Sequence, residues 1–366
     1  MPDVRVQKLA HVLVHYSLAL KPNDKVRIVG PAAALPLIRE LYREAIRVGA
    51  RVLPRITDTD LDEILLKEGS LEQIEWVPDL ASNEIEYIDA SLTIWSETNT
   101  KYLSNVDPQR LAARRKASAA LMQRFLQRFG EGTLRWNGTL YPTEAHAQDA
   151  NMSLSEYEDF VYGAGLLNEP DPVAAWRRVH DEQQHIVDFL NSCSHIRIVA
   201  PDTDIEYRCA GRTWINCDGK ENFPDGEVFT SPIEDSVNGH VRFTYPSVYN
   251  GREAEDVRLT FKDGQVVSAT ASHGQTFLDA MLNMDAGSRI LGEAAFGLNY
   301  GIERFTRNIL FDEKIGGTMH MALGSSYPET GGKNESGLHW DMVCDLRQGE
   351  VYADGELCYR EGKFII

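Results

Sequence analysis

From Lys25 to Trp95 the chain alternates short apolar runs with amphipathic helical stretches, and beyond about residue 190 it stops doing so. That change of texture limits the possible folds more than any other feature. A helix is expected over residues 4–20, with Leu9, Val12, Leu13 and Tyr16 on one face. Lys25 to Val29 reads as a strand that Gly30-Pro31 ends. Leu37, Leu41, Ala45 and Val48 recur at three- and four-residue spacing, which predicts a helix stopped by Gly49. Arg51 to Ile56 is a second strand, helices follow near 60–67 and 71–80, and Ala90 to Trp95 is a third strand. A long basic helix is expected over 108–129. Such alternation builds an α/β layer on a mainly parallel sheet. The first strand-to-helix turn, Gly30-Pro31-Ala32-Ala33-Ala34, has neither GxGxxG nor GxxxxGK[ST]. It therefore lacks a phosphate cradle, and the layer reads as scaffold.

A helix over 173–190 closes this half. Strand-like runs then dominate, at 195–200, 205–209, 213–216, 241–244, 257–261 and 266–271, separated by turns such as Asp218-Gly219 and Asp263-Gly264. At 366 residues the chain exceeds one ordinary core. The expectation is an N-terminal α/β domain over 1–190 and a C-terminal β-rich α+β domain over 191–366.

The formal net charge of -18 argues against a nucleic-acid partner, because an acidic surface repels phosphates. No apolar run approaches the length of a membrane span, and no secretory signal is evident. Five cysteines, an odd number without a CxxC pair, suit free thiols in a reducing cytoplasm. The sequons at Asn137, Asn151 and Asn334 then carry no meaning.

His180 and His185 flank acidic residues on a predicted helix, but they stand five apart, and a helical zinc pair needs four. In the C-terminal third, His339-Trp340-Asp341 puts an imidazole and a carboxylate on the same side of an extended segment. His320 sits among apolar residues in Gly316-Gly317-Thr318-Met319-His320-Met321-Ala322, ahead of a polar, glycine-rich loop through Tyr327. Glu227 follows the turn Pro224-Asp225-Gly226, and Glu293 lies within Leu291-Gly292-Glu293-Ala294-Ala295-Phe296. Buried carboxylates need partners, and no basic residue nearby in sequence supplies one. A metal ion would.

The blocks NFPDGEVFTSP, LGEAAFGLN, GGTMHMALGSSYPETGGKNES and HWDMVCDL, in this order, resemble the M29 family of metallo-aminopeptidases. The resemblance extends to KPNDKVRIVG and YPTEAHAQDANMSLSEYEDFVY in the first half. The chain is somewhat shorter than typical members, with the shortening expected in the N-terminal domain and between Glu293 and His320. The resemblance implies metal ligands Glu227, Glu293, His320, His339 and Asp341, with Tyr327 as a catalytic group beside the metals and Glu313 as a candidate further ligand. It implies two divalent ions per chain (zinc, cobalt or manganese, which these donors admit alike), peptide substrates with a free N-terminus, and a homodimer. Paired ions lower the pKa of water between them and polarise the scissile carbonyl. Glu293, set among small residues, is expected to bridge the ions and is a candidate for proton transfer. Two alternatives stay open at this point. His320, His339 and Asp341 alone form the ligand set of a mononuclear iron(II) ring-cleaving dioxygenase. A non-catalytic binding protein on the same scaffold is the other.

Overall fold

A computed structural model describes residues 3–249 and 251–366. The chain forms two compact units. One runs to Ala174 and also takes in Gly219–Phe223; the other comprises Ala175–Asp218 and Pro224–Ile366. The sequence expectation drew a single boundary near 190. The units divide instead just inside the helix Pro172–Asn191, and a short piece of the second half belongs to the first unit.

The first unit carries a five-stranded sheet in the order Arg51–Thr57, Lys25–Pro31, Ala90–Trp95, Arg135–Leu140, Asn222–Phe223. Every neighbouring pair is parallel. Val26 and Ile28, two residues apart, bury the same side of the first strand, as the period of a pleated strand requires. The helix Leu35–Val48 ends where Gly49 adopts φ 89°, the left-handed cap expected of it. Two helical expectations needed revision. The N-terminal helix is α only over Val4–Val12 and continues as a π turn, Leu13–Ser17. The stretch 71–80 splits into Leu71–Glu75 and Asp79–Tyr87, because Pro78 cannot continue a helix. The strand Arg135–Leu140 (Arg-Trp-Asn-Gly-Thr-Leu) had no readable pattern. Two of its buried side chains donate to chain from far away: Asn137 Nδ2 to the carbonyls of Gly219 and Lys220, and Thr139 Oγ1 to that of Phe223.

The second unit is β-rich, as expected. An eight-stranded antiparallel sheet includes Thr203–Arg208, His195–Ala200 and Glu350–Ala353 at its centre. A five-stranded antiparallel sheet runs in the order His339–Asp345, Thr318–Gly324, Leu291–Gly297, Glu227–Thr230, Ile215–Cys217. Ile196, Ile198, Ile205 and Tyr207 of the larger sheet share one core with Ala294, Phe296, Met319, Met321, Trp340 and Met342 of the smaller. Sheet-on-sheet burial of this kind uses every second residue of each strand. All five cysteines are free. Among the described residues, no helix is long and apolar enough to cross a membrane.

Candidate metal centre

The alternation that fills the core also decides what faces the other way. Ala294 and Phe296 point inward, so Glu293 and Ala295 point out. Met319 and Met321 point inward and His320 outward, and Trp340 and Met342 point inward while His339 and Asp341 point outward. Glu227, on the next strand, lies opposite Gly297 in register. One face of the five-stranded sheet therefore collects all five expected ligands. Gly226 aims Glu227. Its φ is +126°, and a Cβ there would come within 2.7 Å of Asn299 Cβ, so only glycine fits. Gly292 has a different use from the one its size suggested. A Cβ at that position would meet the carbonyl oxygens of Gly324 and Ser325 at 2.4 Å. Its bareness thus admits backbone at a register shift in the ladder, where the sequence had suggested room for ions.

Both histidines are oriented by backbone. His320 Nδ1 lies 3.0 Å from the carbonyl of Glu313, and His339 Nδ1 lies 2.9 Å from that of Ser325. A carbonyl only accepts, so each Nδ1 carries a proton and Nε2 is the ring atom that faces the site. His320 Nε2 is 3.4 Å from Glu293 Oε1 and 3.8 Å from Glu227 Oε2. His339 Nε2 is 3.2 Å from Glu293 Oε2 and 3.4 Å from Asp341 Oδ1. The two oxygens of Glu293 thus face two different imidazoles. Glu293, His339 and Asp341 form one cluster with cation-ligand spacing, and Glu313, His320 and Asp341 form a second, so Asp341 is shared. Glu313, which the sequence left open, is part of the site.

The electrostatics are those of a cation trap. Burial disfavours imidazolium, yet Glu293 and Glu227 lift His320 to about 10, and Asp341 and Glu293 lift His339 to about 12. Burial raises Asp341, but His339 pulls it down to about 2. Burial pushes Glu313 up to about 8, against the pull of Lys314 and with the help of Glu227 and Asp341. Glu227 Oε2 and Asp341 Oδ1 are buried and accept no hydrogen bond from any described residue. Oxygens left this way cost stability unless a cation meets them. The donor set fits divalent ions: carboxylates with two imidazole lone pairs, each held by an outer hydrogen bond.

The sequence missed Lys314. It is fully buried, pairs with Glu313, and its Nζ lies 3.3 Å from Glu227 Oε1 and 3.9 Å from Asp225 Oδ1. The sequence reading found no basic partner for Glu227; the fold supplies one from a distant segment. The sequence signal was a lysine set between Glu313 and Ile315-Gly316-Gly317. Gln183 was missed as well: its Nε2 donates to the carbonyls of Cys217 and Glu227 and braces that strand. The rejected His180 pairs with Asp218 at 2.5 Å. Tyr327 packs edge-on against Phe229 and His339, and its hydroxyl is 3.4 Å from His339 Nε2. The phenol is therefore aimed at the site rather than at backbone.

Residues 3–364 match the family described as thermophilic metalloprotease (M29). The chain belongs to this family. As an M29 member it is an enzyme, a metallopeptidase. It is 30% identical to Aminopeptidase 2 of Geobacillus stearothermophilus, over 99% of this chain and 98% of that protein. It is 27% identical to Aminopeptidase AmpS of Bacillus subtilis, over 98% of each, and 26% identical to Aminopeptidase T of Thermus thermophilus, over 99% and 98%. The first alignment spans 406 positions against 366 residues here, so the relative carries insertions that this M29 chain lacks. The solved structure of wild-type AmpT from Thermus thermophilus matches with a TM-score of 0.87, covering 99% of both chains at 24% identity, which establishes the shared fold. The dioxygenase and binding-protein alternatives gain nothing from these relatives. An iron site of the 2-His-1-carboxylate kind also has no use for Glu227, Glu293 and Glu313.

Proposed function

We propose that this protein is an aminopeptidase that removes the N-terminal residue of peptides with two divalent ions, held by Glu227, Glu293, His320, His339 and Asp341, with Glu313 as a further ligand. The observation that carries the reading is Glu293, whose two oxygens face different imidazoles, as a bridging carboxylate would. Charge supports it. Asp225, Glu227, Glu293, Glu313 and Asp341 bring five carboxylates against the one ammonium of Lys314. With all of these ionised and both imidazoles neutral, the deficit of four positive charges is that of two divalent ions. When bound, such ions supply Lewis acidity, acidifying water and polarising a carbonyl.

The chain's own groups do the rest. The chain's net charge of -18 draws a peptide's α-ammonium. Phe229 and Ala295 line the site face with apolar surface, which strengthens every charge interaction there. A site carboxylate, Glu293 or Glu313, carries a proton to the leaving amine. Tyr327 donates its hydroxyl to the oxyanion. Burial, with Glu293 and Asp341, raises that phenol and keeps it protonated for the task. A homodimer is proposed on the family alone, a cytoplasmic location on the free cysteines, and zinc, cobalt or manganese on the donor set.

Two outcomes are expected. Protein loaded with metal and freed of weakly held ions approaches two divalent ions per chain by elemental analysis, and it hydrolyses amino-acid p-nitroanilides but not their N-acetylated forms. A plateau at one ion would sink the dinuclear reading, and equal hydrolysis of acetylated substrates would sink the aminopeptidase one. Tyr327→Phe keeps the ring and removes the donor. Its kcat should fall on the order of a hundredfold with KM nearly unchanged, as for loss of one oxyanion donor. A kcat within about twofold of the parent, below that range, would make Tyr327 a packing residue.

A further inference from the structure

The helix Val4–Val12 passes directly into the π turn Leu13–Ser17. Single π turns within α-helices are rare and are frequent at functional positions. His11 and His15 stand on either side of this junction, four residues apart on one face, with ring centroids 4.2 Å apart. Glu44, on the helix Leu35–Val48, joins them. Its Oε2 lies 3.4 Å from His11 Nδ1 and 3.2 Å from His15 Nε2, while Oε1 takes the guanidinium of Arg47. One carboxylate oxygen thus faces two imidazole nitrogens at once.

The spacing identifies what belongs between them. A charge-assisted N–H···O bond closes to about 2.7–2.9 Å. Both contacts here are longer. An ion bonded tetrahedrally at about 2.0–2.1 Å holds its ligand atoms roughly 3.3–3.4 Å apart, and the two contacts to Glu44 Oε2, at 3.4 and 3.2 Å, fall close to that. Two histidines and one carboxylate with a fourth position open to water form a common zinc ligand set. Four-residue spacing of histidines on one helix is the arrangement that His180 and His185 lack. The side chains of His11 and His15 are 50% and 36% exposed and that of Glu44 is 15% exposed, so an ion can enter from solvent while the carboxylate stays shielded.

We propose that His11, His15 and Glu44 form a second cation site, separate in composition from the candidate centre, that takes one ion of the zinc class and fastens the N-terminal helix to the helix Leu35–Val48. Every residue of this site belongs to the first unit, and every residue of the candidate centre to the second. An ion that binds only the folded state stabilises it by mass action. The clasp is therefore structural and leaves hydrolysis untouched.

Calorimetric titration of the full-length, metal-loaded protein with Zn2+ tests it. The parent should take up one further ion per chain with micromolar affinity and gain several degrees in Tm. His11→Ala/His15→Ala should lose that ion and the Tm gain while keeping parental p-nitroanilide hydrolysis. Glu44→Gln should weaken the same ion at least tenfold. If parent and double variant bind equal numbers of ions, the three residues are a hydrogen-bonded surface cluster and the proposal fails. Failure of the aminopeptidase reading would appear instead as absent hydrolysis in the parent, with the difference between parent and double variant intact.

Discussion

Glu293→Gln is expected to release at least one ion and to lower kcat/KM by about a thousandfold, the upper range for loss of one electrostatic group at a reacting centre. The side chain is buried between His320 Nε2 at 3.4 Å and His339 Nε2 at 3.2 Å. Gln keeps the shape but presents one oxygen and one amide nitrogen. The amide nitrogen would not bind a cation, so the centre would have one ligand atom fewer to hold its ions. The fold should persist, because Ala294 and Phe296 on the opposite face of that strand are untouched. Elemental analysis, far-UV circular dichroism and p-nitroanilide kinetics on one preparation check the three parts. A variant with both ions and activity within about threefold of the parent, far inside that range, removes Glu293 from the centre.

Lys314→Met should cost about 3–5 kcal/mol in the metal-free protein, the usual penalty for removing one partner of a buried ion pair. The ammonium is fully buried and is held charged because Glu227, Glu313 and Asp225 outweigh the burial that opposes it. Without it, three carboxylates are left against one another in a water-poor place. With roughly 2–4 °C per kcal/mol for domains of this size, Tm falls by about 10 °C. Bound ions supply positive charge to the same carboxylates, so the loss should shrink when metal is added. Scanning calorimetry with and without Zn2+ measures both. A metal-free Tm within about 2 °C of the parent, less than 1 kcal/mol on that scale, would mean that the carboxylates are satisfied without Lys314.

Some of this was legible in the sequence and some was not. The strands Lys25–Pro31 and Ala90–Trp95 were readable because apolar residues there end at glycine, proline or polar residues, and Arg51–Thr57, an edge strand with Pro54 inside it, was readable from Val52, Leu53 and Ile56. Arg135–Leu140 was not, since its Asn137 and Thr139 look like loop residues until the segment at 219–223 arrives to bond them. The site blocks stood out as charges inside apolar strands. Period-two alternation, a local property, already decided that Glu293, His320, His339 and Asp341 face away from Phe296, Met319, Met321 and Trp340.

What only the tertiary structure decided is which of these groups meet, and at which atoms. Strand order and register bring Glu293 between two histidines, and backbone carbonyls of Glu313 and Ser325 select the nitrogen each histidine presents. Glu313 and Lys314 enter the site from a loop whose sequence gives no direction. His11, His15 and Glu44 converge only because two helices pack together. Sequence periodicity states which side of an element a residue is on. Contact between elements depends on long-range packing, where the chemical partner of a buried charge is found by geometry and not by neighbourhood along the chain.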